Sequence, residues 1–376
     1  MRIGISARLL GKKITEGVGR YTHEVIKSLS HQYPEDEFVL YVDQKDIDTS
    51  DYGSNVSCHN LIIQPRHPIL WQIWFEYLIP RALRQDSIDI FFSPEGMASL
   101  RSKVPTIMTV HDIVFERHPE FVQQSHVRFH KRNSIKYHRR AEQIVVVSNF
   151  TKDEILDIYN INPDKITVIP NGRSTEFHPL VQRQIQAFKK EQHIDYEYLL
   201  YVGSLHPRKN IGRLIEAFEQ FKSRAPSPIK LVLAGRLAWY SGRIEEQIKR
   251  SKYSEDIVHL DFFKGDLNAL INAATALIYP ALYEGFGLPV LEAMSAGTPV
   301  ITTANSAMSE VAGDSAIYID PVSVDEMSQA IDRIVQDDKL RSSLVARGLR
   351  QAQKFSWENH AQAIYTLMKR SIYNTS

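Results

Sequence analysis

Short apolar runs and amphipathic stretches alternate twice along the chain, and a joint bearing proline and glycine separates the two series. In the first series the apolar runs predict strands near Arg2 to Ala7, Phe38 to Val42, Leu61 to Ile63, Ile88 to Phe92, Thr106 to Val110 and Gln143 to Val147. A helix from about Ser125 to Ala141 is predicted between the last two. In the second series strands are predicted at Tyr198 to Val202, Lys230 to Ala234, Ile257 to Leu260, Ala276 to Tyr279, Pro299 to Thr302 and Ala316 to Ile319. Helices such as Ile211 to Phe221 and Val324 to Val335 intervene. Strand and helix patterns that alternate in this way predict two doubly wound α/β units. They join across Ile166 to Pro179, where Val168-Ile169-Pro170-Asn171-Gly172 ends a strand in a turn. No internal repeat of fixed period and no low-complexity segment is present.

Composition is compatible with this reading. At 376 residues the chain is longer than most single cores, and a hydrophobic content of 43% is ample for two. Lys and Arg number 45 against 44 Asp and Glu, a balance that argues against general nucleic-acid binding. The single cysteine, Cys58, rules out an internal disulfide and fits a reducing compartment. The chain opens on a strand pattern with no signal-peptide core. Its most apolar stretch, Ile69 to Pro80, is too short to span a bilayer and carries Gln72 and Glu76. A cytoplasmic protein is the expectation.

Candidate chemistry gathers after two predicted strands of the second unit. Glu284-Gly285-Phe286-Gly287-Leu288-Pro289-Val290-Leu291-Glu292 follows the Ala276 to Tyr279 strand and opens a helix, where the missing N–H of Pro289 would be unsatisfied anyway. The glycines let backbone amides approach a ligand, and the helix start adds unpaired N–H groups and partial positive charge for phosphate. One carboxylate before that phosphate site and one inside the helix can accept hydrogen bonds from hydroxyls on opposite sides of a diphosphate. A nucleoside diphosphate sugar has hydroxyls in both places. The same stretch also reads as an ordinary strand-to-helix turn. Upstream, Tyr201-Val202-Gly203-Ser204-Leu205-His206-Pro207-Arg208-Lys209-Asn210 sets two adjacent cations at the end of a strand, facing the crevice where open α/β sheets bind ligands. Arg208 and Lys209 are placed to neutralise a diphosphate, or they form a solvated surface pair.

Together these elements resemble the retaining glycosyltransferases of family four, which have the GT-B fold. That fold is α/β, with two Rossmann-like doubly wound domains facing across a cleft and a C-terminal helix crossing back to the N-terminal domain. The resemblance covers nearly the whole chain. Arg2-Ile3-Gly4-Ile5-Ser6-Ala7-Arg8-Leu9-Leu10 with Glu16-Gly17-Val18-Gly19-Arg20-Tyr21, then Val110-His111-Asp112, Val147-Ser148-Asn149-Phe150-Thr151 and Ile169-Pro170-Asn171-Gly172 fall in the family's order. The E-x7-E element, the Arg-Lys pair and the Pro-Asn-Gly joint are specific in combination. The resemblance implies an acceptor-binding domain over residues 1–172, joined by the 357–376 crossover helix, and a nucleotide-sugar donor domain over residues 173–356.

It also implies roles. Arg208 and Lys209 would stabilise the leaving diphosphate, with the amides of Phe286, Gly287 and Leu288 beside it. Glu284 would bind hydroxyls of the transferred sugar and Glu292 those of the ribose. His111 would touch the donor sugar, amides near Gly17 and Gly19 would lie over the phosphates, and Gly203, Ser204 and Asn171 would complete the donor site. His111 is also open to a purely structural role, Asp112 to capping, and Asn171 to a turn. Retention of configuration is implied, with the acceptor attacking on the face the diphosphate leaves. A paired-carboxylate hydrolase would need both side chains flanking one bond, which Glu284 and Glu292, assigned to opposite ends of the donor, do not provide. A dinucleotide dehydrogenase is disfavoured because the Leu10 to Arg20 turn is longer than a G-x-G-x-x-G turn, and only Asp43 could close the next strand. Nothing resembles a Cys/His zinc site or an Asp-x-Asp metal site, so neither a metal nor a cofactor is expected.

Two helices bear on the acceptor. Trp71, Trp74, Phe75 and Leu78 recur at helical spacing, and His126 to Arg140 carries Arg128, Lys131, Arg132, Lys136, Arg139 and Arg140. A basic helix beside an aromatic one suits the inner face of an anionic membrane and a lipid-linked oligosaccharide acceptor. The pair also reads as ordinary core and a solvated face. The Gly-Val-Gly-Arg-Tyr opening, the His-Asp pair and Pro-Arg-Lys-Asn look most like the mannosyltransferase branch, which implies GDP-mannose as donor and a bacterial surface polysaccharide as product. UDP-linked glucose or N-acetylhexosamine is the alternative donor. A nucleotide-sugar epimerase and a non-catalytic sugar-nucleotide-binding protein remain open as other classes.

Overall fold

The computed structural model describes residues 1–10, 17–45, 47–224, 226–237 and 242–373. It divides into two compact units, Met1–Gly172 with Ser356–Ser376, and Arg173–Phe355. The first is built on β1 (Arg2–Ser6), β2 (Glu37–Val42), β3 (Val56–Asn60), β4 (Ile90–Ser93), β5 (Thr106–Val110), β6 (Gln143–Val146) and β7 (Ile166–Val168). These pair in the order β3-β2-β1-β4-β5-β6-β7, every neighbour parallel. Helices on the faces bury the central strands, and Ile3, Ile5, Leu40, Phe91, Phe92, Ile107 and Val145 are fully enclosed.

One strand differs from its prediction. The apolar run Leu61 to Ile63 is no strand; β3 is instead the polar segment just before it, at the sheet edge, where one face needs no apolar cover. Asn60 ends it with an Asx turn, its Oδ1 accepting from Ile62 N at 2.7 Å, and Ile62 sits exposed at φ 67°. The aromatic stripe is core rather than a membrane face: Trp74 and Phe75 are fully buried and Trp71 nearly so. That helix widens into a π turn over Trp74–Leu78. Pro80 accounts for the widening, since it has no N–H to continue the α ladder and its ring would crowd the preceding turn. The cations Arg128, Lys131, Arg132, Lys136 and Arg139 are exposed on the Gln124–Arg140 helix. Among the described residues no helix is long and apolar enough to cross a membrane.

The last helix, Trp357–Tyr373, belongs to the first unit and packs on the Gly17–Gln32 helix. Tyr365 stacks on Tyr33 and donates to Asp36 Oδ2 at 2.6 Å. His360 Nδ1 lies 2.8 Å from Pro170 O and its Nε2 lies 2.9 Å from Tyr21 Oη. A carbonyl only accepts, so Nδ1 carries the hydrogen and Tyr21 donates to Nε2.

The second unit is built on β8 (Tyr198–Val202), β9 (Lys230–Ala234), β10 (Ile257–Leu260), β11 (Ala276–Tyr279), β12 (Val300–Thr303) and β13 (Ala316–Ile319). Their order is β10-β9-β8-β11-β12-β13, again parallel throughout. Both units are doubly wound, and in each the strand order reverses once, between β1 and β4 in the first and between β8 and β11 in the second.

Candidate active site

In open parallel sheets, ligands bind beyond the C-terminal strand ends where the order reverses. In the second unit those ends are Gly203 after β8 and Pro280 after β11, and the loops leaving them carry Arg208, Lys209 and Glu284. Gly203 N donates to Ala234 O at 2.9 Å, and the Ser204 carbonyl accepts from Tyr201 Oη at 3.0 Å. The chain then makes a single 3₁₀ turn, Pro207–Lys209, capped by His206, whose Nδ1 accepts from Arg208 N. Asn210 closes the turn at φ 64°, a conformation that costs a non-glycine residue on the order of 1 kcal/mol. Its amide offsets that strain by donating to Pro280 O at 3.2 Å and Pro321 O at 2.6 Å, while Leu282 N donates to Arg208 O at 2.9 Å. The Arg-Lys turn is thus clamped to the loop after β11.

The clamp brings three charges together. Lys209 is buried, with its ammonium on Glu284 Oε1, and it also donates to Tyr279 Oη at 2.6 Å. Tyr279 Oη in turn donates to Glu284 Oε1 at 3.0 Å. Arg208 Nη1 lies 3.8 Å from Glu284 Oε2 and donates to Tyr283 O at 3.4 Å. A buried carboxylate is tolerated only when paired and hydrogen-bonded, and two cations and a phenol meet that need here. The junction sets two cations against the carboxylate of Glu284. Burial pushes the Tyr279 phenol well above its ordinary range, so it stays a hydrogen-bond donor.

The helix Leu288–Ala296 starts from Gly287, at φ 102°, where an added Cβ would lie 2.9 Å from Met308 Cγ. In its first turn Val290 N donates to Gly287 O at 3.0 Å and Pro289 has no N–H, so the helix start presents the amides of Gly287 and Leu288. Glu292 is buried within that helix. The Phe286 ring is buried edge-on against Phe355, so this residue can reach a ligand only through its backbone.

His111, Gly17, Gly19 and Asn171 belong to the first unit. His111 follows β5, and its Nε2 donates to Pro94 O at 2.8 Å, which leaves Nδ1 as an acceptor. Burial lowers the pKa of this ring, against the opposing effects of Pro94 O and Asp112, and keeps it neutral. Asp112 Oδ1 accepts from Val114 N at 3.1 Å, a local turn bond. Ser148 caps the Asn149–Tyr159 helix through Thr151 N, and Thr151 Oγ1 donates to His111 O at 3.4 Å, so this motif supports the histidine from behind. Gly17 opens its helix, and an added Cβ on Gly19 would lie 2.7 Å from Leu9 O. The Gly11 to Glu16 part of that turn lies outside the described residues. Asn171 is buried, and its Oδ1 accepts no hydrogen bond among the described residues.

Residues 15–177 match the model of Glycosyltransferase Family 4, and residues 182–351 match that of Glycosyl transferases group 1. The chain is 32% identical to O-antigen chain mannosyltransferase B of Escherichia coli over 356 residues, covering 91% of this chain and 93% of that one. It belongs to glycosyltransferase family 4. This glycosyltransferase is also 29% identical to O-antigen chain mannosyltransferase RfbU of Salmonella typhimurium over 276 residues, 72% of this chain and 71% of that one. Its two units have the GT-B fold, and sucrose-phosphate synthase of Thermosynechococcus elongatus superposes on the whole length of both chains with TM-score 0.80 at 17% identity.

Two features of the glycosyltransferase escaped the sequence reading. Tyr279 reads there as a strand residue; only its place at the end of β11, beside the glutamate loop, could have flagged it. At the reversal of the first sheet, Arg8 is ion-paired with Glu95, whose Oε1 accepts from Ser6 Oγ at 2.7 Å. Arg8 stands in the opening motif, but no local signal points to Glu95.

Proposed function

We propose that this glycosyltransferase moves mannose from GDP-mannose to a hydroxyl of a glycan or lipid-linked oligosaccharide, with retention of configuration and without a metal, in the synthesis of a bacterial surface polysaccharide. The observation that carries the reading is the junction of Arg208, Lys209 and Glu284 at the sheet reversal of the second unit. Similarity to two O-antigen chain mannosyltransferases supports the sugar and the product class.

The chemistry follows from where charge develops. As the anomeric carbon–oxygen bond breaks, negative charge gathers on the diphosphate, and Arg208, Lys209 and the Leu288 helix start are placed to meet it. Two side-chain cations and a helix start already supply what a divalent ion would, which supports the metal-free reading. Glu284 takes hydroxyls of the sugar and Glu292 those of the ribose. The acceptor oxygen bonds to the anomeric carbon on the face the diphosphate leaves, and its proton passes to the departing phosphate oxygen. On the first unit, the neutral Nδ1 of His111 is the acceptor proposed for a hydroxyl.

Calorimetric titration of GDP-mannose and of UDP-glucose in chelator, with wild type and the Arg208→Ala/Lys209→Ala variant, tests the donor. GDP-mannose should bind and the double variant should lose it, and an α-linked product should form from the α-linked donor. Preference for UDP-glucose would replace the base and sugar, and a β-linked product would remove the retaining mechanism. Binding of neither would sink the site assignment. The exposed cations of the Gln124–Arg140 helix support attraction to an anionic membrane. Sedimentation with anionic vesicles at low salt, released at high salt, is expected, and its absence counts against membrane association.

A further inference from the structure

We propose that Tyr279 is a positioning residue for the transfer: it holds Glu284 in place while Lys209 changes partner from that carboxylate to the donor's diphosphate. The inference rests on the donor-site reading above. Before donor arrives, Lys209 and Tyr279 converge on the same oxygen, Glu284 Oε1, while Oε2 faces Arg208 at 3.8 Å. A diphosphate draws both cations toward itself. Glu284 would then be a buried carboxylate beside two phosphates with its charge partners gone, which is unfavourable unless another donor stays behind.

Tyr279 meets the requirement. Its ring is fully buried and stacks on Tyr201 at 5.8 Å, and its carbonyl accepts from Thr302 Oγ1 at 2.9 Å, so neither ring nor backbone is free to follow the ligand. Its hydroxyl has one hydrogen, which goes to Glu284, and a lone pair, which takes the Lys209 ammonium. When the ammonium leaves, the hydrogen stays on Oε1 and Oε2 is left for a sugar hydroxyl. Tyr279 touches no reacting atom in this scheme and acts through Glu284.

The test is a double-mutant cycle of Tyr279→Phe and Glu284→Gln, read by steady-state kinetics on GDP-mannose and by calorimetry with GDP-mannose and GDP. Phe preserves the ring, and equal melting temperatures with wild type establish that the fold is kept. Loss of a hydrogen bond to a charged group predicts a roughly 10- to 100-fold fall in kcat/KM for Tyr279→Phe. Affinity for GDP, which offers Glu284 no sugar hydroxyl, should change less than about threefold by the same reasoning. In the Glu284→Gln background the added effect of Tyr279→Phe should largely vanish. Wild-type kinetics for Tyr279→Phe, or full additivity of the two substitutions, would overturn the proposal while leaving the donor site standing. No effect of Glu284→Gln, or no binding of GDP-mannose by wild type, would remove the donor-site reading and this proposal with it. Should Tyr279→Phe lower the melting temperature, Tyr279→Trp, which keeps a donor on the ring, must recover part of the activity, and failure to do so would also overturn it.

Discussion

At the scale of single residues, what the second unit presents is a pair of adjacent cations already furnished with a carboxylate. Lys209 is held by Glu284 and Tyr279, and removing one member of a buried pair strands the other at a cost on the order of 3–5 kcal/mol. Lys209→Met should therefore lower stability markedly in urea titration, whereas Lys209→Met/Glu284→Gln should lower it by less than the sum of the single changes. Gly287 offers a second check. With φ 102° and Met308 Cγ 2.9 Å from a Cβ, Gly287→Ala should cost on the order of 1–3 kcal/mol and weaken GDP binding together. The loops that bring Arg208, Lys209 and Glu284 together were legible in the sequence because glycine, proline and charge mark them between a strand and a helix. Tyr279 was not, because a tyrosine at a strand end looks the same whether its hydroxyl meets solvent or a carboxylate. Nor was the Arg8–Glu95 pair, since only the folded sheet brings β1 and β4 together.

At the scale of elements, buried parallel strands were read closely because both faces must be apolar, so each appears as an unbroken run such as Tyr198–Val202 or Ala276–Tyr279. The edge strand β3 escaped for the converse reason: its pattern is polar, and the apolar Leu61 to Ile63 run beyond it drew the prediction. The aromatic stripe stayed open between core and membrane face because helical spacing alone does not say which side of a helix is covered, and here Trp74 and Phe75 join the core cluster of Val39, Phe91 and Met108. One element supports the candidate site from behind. Ser148 caps the Asn149–Tyr159 helix, and Ser148→Ala should destabilise the protein by about 1 kcal/mol in thermal melts.

At the scale of the whole molecule, the first unit carries three histidines, His130, His138 and His360, that burial holds at a pKa of about 4 instead of 6.5. Between those values the unfolded chain binds protons that the folded one refuses. Stability is accordingly full above pH 6.5 and falls as pH drops toward 4. Melting curves from pH 7 to 4.5 should show the fall, and His138→Phe, which removes one titrating ring, should make it shallower. The same unit depends on the last helix, whose Trp357, Ala361, Ile364, Tyr365 and Met368 are buried. The larger of these apolar side chains contribute roughly 1.5–3 kcal/mol each, so truncation before Trp357 should leave the chain insoluble or open in the first unit, as hydrogen exchange would report. The division of the chain into Met1–Gly172 with Ser356–Ser376 around a continuous Arg173–Phe355 also bears on synthesis at the ribosome. The unit encoded second can complete its core as soon as Phe355 emerges, while the unit encoded first waits for the helix Trp357–Tyr373. Tyr21 finds its partner His360 only after the whole of Arg173–Phe355 has been made, so the first unit is finished after the second.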